Sequence, residues 1–278
     1  MSLSEPRYSV PPPALRPRAD RLLAVLGQGV RERLRVLTIV LLALIYVVVL
    51  LLILVPFYLN QIAFGFLSAP PLTIFFTPFG AGVWFFFTVI LASSLGAGII
   101  AGDTATRAIT MYLSRPITVL DYLLAKAGTL AVWLSLAVIL PGAVGAAIVL
   151  ALGYVSLPLA LHAAGGFLLV GALYIAALGS LALLLSSLAS KSVYAGAAIF
   201  GVLIGSQVIA AVLEAVSQSA SVLYLSLQDD ALAVARAVFS VAPNPLNPWA
   251  AGAVLLGFAG SAFALTYLRL AREEVIAE

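Results

Sequence analysis

The sequence has no cysteine, only one histidine, and no Asp, Glu, Lys or Arg inside six long apolar runs. Without cysteine there is no disulfide, no thiol nucleophile and no thiolate metal site. His162 has no second histidine or carboxylate near it in sequence, which makes it a packing or interfacial residue rather than a metal ligand. Neither Lys126 nor Lys191 follows a glycine, so the Gly-x-x-x-x-Gly-Lys-[Ser/Thr] loop that cradles nucleotide phosphates is missing. There is no Gly-x-Ser-x-Gly elbow, and the apolar runs hold no pair of carboxylates, so intramembrane serine and aspartyl hydrolases both lack their groups. The chain is expected not to be an enzyme and to carry no cofactor or metal of its own. Charged residues make up 9% of it, against about 25% in soluble domains.

What is abundant is apolar surface, with hydrophobic residues at 63%. The runs 36–59, 79–101, 127–152, 159–188, 193–213 and 249–268 each reach the roughly 20 residues a helix needs to cross a bilayer. Placing both termini in the cytoplasm puts thirteen of the fourteen cations on the inner side and leaves only Arg236 outside. The opposite orientation would invert that ratio, so the positive-inside rule selects the first. The expected fold is all-α: a polytopic, multi-pass protein of the plasma membrane with six transmembrane helices, an N-terminal amphipathic interfacial helix and both termini cytoplasmic. The net charge of +3 arises from the inner loops and does not imply a nucleic-acid partner.

Along the chain, residues 1–18 form a Pro- and Arg-rich tail with too few apolar residues for a core. That composition differs from a cleavable signal, so the first run is expected to stay as an anchor. Residues 19–35 space Leu22, Leu23, Leu26, Val30 and Leu34 along one face, as an amphipathic helix on the membrane surface would, with Gly27 and Gly29 as the place to bend. The six-span region covers 36–268, with an inner loop 102–126 and an outer loop 214–248, and 269–278 form an inner tail. Residues 60–78 are apolar enough to dip into the outer interface, and Pro141 is expected to kink the third span. Turns are expected at 153–158 and around Lys191, and a short helix over 231–239 before the prolines of 243–248. Ala197, Gly201 and Gly205, like Gly98 and Gly102, recur every four residues, a spacing that suits close contact between helices inside the bundle.

Ion-coupled carriers and pumps usually keep ionisable groups at membrane depth, and these runs have none. Work done across the membrane would then draw its energy from another protein. One inner segment stands out. Asp103 and Thr104 suit the start of a short helix reaching to Leu113, which Ser114-Arg115-Pro116 ends, because the residue before proline is driven out of helical geometry. Thr118-Val-Leu-Asp121 reads as a capping box opening the third span.

This segment resembles the intracellular signature of ATP-binding cassette (ABC) transporter permeases of the type-2 exporter family. Leu113, Ser114, Arg115 and Pro116 match as they stand, as do Tyr122, Leu123, Leu124 and Lys126. Asp103 takes the acidic position, usually Glu, and the departures are Arg107 and Ala108 for Gly-Thr and Ala125 for Gly. The resemblance implies a permease, an exporter by family, that pairs with a second permease chain, often an identical one, and lies among membrane lipids. It also implies a coupling helix over 104–114 that docks on a separate ATP-binding subunit, where ATP and Mg would reside, and alternating access driven from there. Asp103, Thr104, Arg107, Thr110, Met111, Leu113, Ser114, Arg115 and Pro116 are the docking residues it points to. The competing expectation is a non-transporting membrane scaffold or assembly factor.

Overall fold

The computed structural model describes residues 17–62, 71–106 and 118–277. These are overwhelmingly helical, with no strand among the described residues. The reason lies in the runs themselves: in an apolar medium a backbone must satisfy its own N–H and C=O groups, which a helix does within one segment. Six helices are long and apolar enough to cross a membrane: Val36–Asn60, Gly82–Ala105, Val119–Ala151, Leu157–Leu188, Ser192–Ser217 and Pro248–Arg272. The chain is thus an all-helical, multi-pass membrane protein by length and composition.

A separate first helix, α1 (Arg18–Glu32), precedes the spans. The chain turns at 33–35 and continues as α2 (Val36–Ile62). The bend therefore falls at Arg33–Arg35 and not at the glycines, which lie within α1. Gly29 serves close approach instead: a Cβ there would come 2.6 Å from Thr129 Oγ1. After α2, the short helices α3 (Pro71–Ile74) and α4 (Thr77–Gly80) fold back onto the bundle. Ile74, Phe75 and Phe79 are buried, and Thr77 Oγ1 donates to the Leu52 carbonyl at 2.7 Å. The apolar connection thus packs against its own chain. Its residues 63–70 are outside the described ones.

The second span is α5 (Gly82–Gly96), a break at 97–100, and α6 (Ala101–Ala105). The third is α7 (Val119–Val138) and α8 (Leu140–Ala151), interrupted at Ile139 just before Pro141, where the ring removes a backbone donor. The capping box opening α7 is present in both directions: Asp121 N–H donates to Thr118 Oγ1 at 3.2 Å and Thr118 N–H to Asp121 Oδ2 at 3.4 Å. The next helices are α9 (Leu157–Leu188) and α10 (Ser192–Ser217), and Lys191 lies in the tight turn between them. After α10 come a 3₁₀ turn over Ala220–Leu225, α11 (Leu227–Val238) and α12 (Pro248–Ala277).

Helix α11 begins four residues before the expected 231. Ser226 caps it by accepting from Asp229 N–H at 3.3 Å. It packs against α9 and α12, so this segment is part of the bundle and not a free loop. His162, exposed on α9, donates from Nε2 to the Val238 carbonyl at 2.9 Å, where α11 ends. Beneath α11, Phe79, Phe167 and Phe239 form an aromatic core with ring centroids 5.2–5.7 Å apart.

Candidate functional site

The break in the second span organises one end of the bundle. The helix is interrupted over 97–100, and the buried Ile100 and Ala101 amides need a partner from outside it. Ser186, wholly buried on α9, supplies one: its Oγ accepts from Ile100 N–H and Ala101 N–H, both at 3.0 Å. The interruption is therefore stitched to a neighbouring span.

Helix α6, just past the break, carries Asp103. Its Oδ2 accepts from the Tyr122 hydroxyl at 2.8 Å and lies 2.7 Å from Lys126 Nζ. Tyr122 and Lys126 are four apart on α7 and so share a face; the ammonium lies 5.4 Å from the Tyr122 ring centroid. Lys126 is only 6% exposed, so its charge depends on that carboxylate. This pairing of Asp103, an acid 23 residues before Lys126, joins the two helices that bracket residues 107–117. Asp103 lies in the first turn of the five-residue helix Ala101–Ala105. Thr104 lies beside it and donates from Oγ1 to the Ile100 carbonyl at 3.1 Å. Arg107, Thr110, Met111, Leu113, Ser114, Arg115 and Pro116 are outside the described residues.

Helix α1 completes this end by packing along α7, with Gly29 at Thr129 and Leu26 at Gly128. Between α1, the break, α7 and the start of α10 lies a polar cavity of about 460 Å³. Its wall includes Arg33, Arg35, Asp103, Lys126 and Ser192. Burial, and then the neighbouring Arg35, hold the Arg33 guanidinium below its ordinary value, while Asp103 and Glu32 act the other way. Among the described residues no three imidazoles or carboxylates come together as a metal site requires.

Tyr122 and Lys126 had a signal in their i, i+4 spacing; Ser186, one serine in a long apolar helix, had none. At the other end, Asp230 on α11 is fully enclosed, and neither carboxylate oxygen has a hydrogen-bond partner among the described residues. Burial, and then Asp229, push it up to about 7. Compared with known proteins, the chain matches no family model and no curated protein.

Proposed function

We propose that the chain is the transmembrane permease subunit of an ABC transporter of exporting type, working with a separate ATP-binding subunit. The observation that carries this reading is the bonded frame around the inner loop. Asp103 ties α6 to Tyr122 and Lys126 of α7, and Ser186 ties the same region to α9. A push on the loop between 106 and 118 is thus transmitted to three spans at once. A proposed docking segment that includes Arg107 and Arg115 offers cations to a partner's acidic surface. On this reading both termini are cytoplasmic, α1 lies along the inner membrane face, and the membrane is the plasma membrane.

A second, identical chain completes the transporter. Its seam would use α10, the least buried span, where a Cβ on Gly201 or Gly205 would meet nothing within 4 Å. These small residues therefore do not make the intrachain contact their spacing suggested. They leave an open stripe on the bundle surface.

Co-expression with the cognate ATP-binding subunit should yield a complex that hydrolyses ATP, while the chain alone should not. Arg107→Glu with Arg115→Glu should weaken that complex by about 2 kcal/mol or more, since reversed charges at an interface repel. Undiminished assembly of the double variant, measured by size-exclusion chromatography, would remove the docking role of Arg107 and Arg115, whereas failure to recover any ATP-binding subunit would favour a scaffold.

A further inference from the structure

The polar cavity has charges that the docking role leaves unused. Both carboxylates on its wall are engaged: Asp103 by Tyr122 and Lys126, and Glu32 by Gln28, whose Nε2 donates to Oε1 at 2.9 Å. The side chains of Arg33 and Arg35 make no hydrogen bond or ion pair among the described residues. Arg33 is partly buried, so its fork of N–H donors is short of both water and protein acceptors. Ser192 opens the 26-residue helix α10 at the same cavity, where the helix dipole and the Ser192 and Val193 amides, which precede the first bonded amide of the helix, favour a negative charge. A volume of about 460 Å³ falls within the range of small-molecule sites.

The flanks are apolar. Leu34, Val36 and Leu37 beside the arginines, and Val193 and Tyr194 beside Ser192, are each more than half exposed. A ligand with an anionic head and an apolar tail fits both surfaces. Guanidinium groups grip phosphate through paired hydrogen bonds. We propose that this cavity binds a phosphate anion through Arg33, Arg35 and the start of α10, and that the headgroup of an anionic phospholipid supplies it. The proposal does not depend on how the chain is powered.

The full chain in neutral detergent tests it. Thermal unfolding, followed by tryptophan fluorescence, and lipid retention in native mass spectrometry are read for three probes: dioleoylphosphatidylglycerol, dioleoylphosphatidylcholine and inorganic phosphate. Phosphatidylglycerol should raise Tm and stay bound where phosphatidylcholine does not. Arg35→Gln should weaken its binding about tenfold. Arg33→Gln with Arg35→Gln should abolish it, and Arg35→Lys should keep most of it. Arg272→Gln, outside the cavity wall, should change nothing. Stabilisation by inorganic phosphate alone, lost in the same arginine variants, would support the anion site but overturn the lipid source. Binding of every probe unchanged in the double variant, or no binding at all, would overturn the site. If the double variant does not fold, Ser192→Asp decides: loss of phosphatidylglycerol supports the site, and undiminished retention overturns it.

Discussion

Asp103 is the residue on which the inner frame turns. One carboxylate oxygen meets both a tyrosine hydroxyl and a nearly buried ammonium. Asp103→Asn should destabilise the folded chain by about 3 kcal/mol, because removing one member of a buried pair strands the other charge. Combined with Lys126→Met, the loss should be smaller than the sum of the two single losses, as unfolding in a double-mutant cycle would show. Asp230 makes a different demand. Its carboxyl is raised from an ordinary 3.8 to about 7, so between these values the folded chain holds more protons than the unfolded one. The stability it contributes is fully present below the unfolded value and is lost as pH rises through about 7. Asp230→Asn should flatten that fall and leave the variant more stable than wild type at pH 8, as melting curves from pH 5 to 8.5 would show. A variant with an unchanged pH profile would mean that the carboxyl finds a partner. Asp103 stood out in the sequence as an acid beside a membrane run. Asp230 looked like an outer-loop charge, because enclosure is created by α9 and α12 and has no local trace.

Among the elements, glycine separates packed seams from open faces. A Cβ on Gly142 would collide with the Phe167 ring. Gly142→Ala should therefore cost about 1–3 kcal/mol through overpacking of α8 on α9. Gly201→Ala should be neutral to slightly stabilising in the isolated chain, since its Cβ would meet open space. The break at 97–100 predicts that Ser186→Ala costs about 1–3 kcal/mol, for it leaves two buried amides without their acceptor. Chemical unfolding of the purified variants checks all three. The spans, the Pro141 interruption and the Thr118–Asp121 cap were legible because each rests on a local rule of hydropathy, ring geometry or side-chain capping. The start of α11 was expected four residues late, although Ser226 and Asp229 have the spacing of a cap. The break in the second span was not legible, because what stabilises it comes from a residue 86 positions away. Nor was the role of Gly29, which is set by the approach of Thr129 and not by any turn in α1.

At the scale of the whole molecule, six spans enclose an aromatic core at one end and a polar, charge-lined cavity at the other. Such a bundle has no phosphate loop and no Asp, Glu, Lys or Arg inside the runs read from the sequence. On the proposed reading its motion is supplied from outside, through the frame that Asp103, Lys126 and Ser186 hold around residues 107–117. The direct measurement is affinity purification of the tagged chain from native membranes in mild detergent, with the retained subunits identified by peptide mass spectrometry and assayed for ATP hydrolysis. An ATP-binding subunit should be recovered with the chain, and hydrolysis should disappear when the two are separated. A chain that carries no nucleotide-binding subunit, yet moves solute in vesicles under a proton gradient alone, would contradict this mechanism.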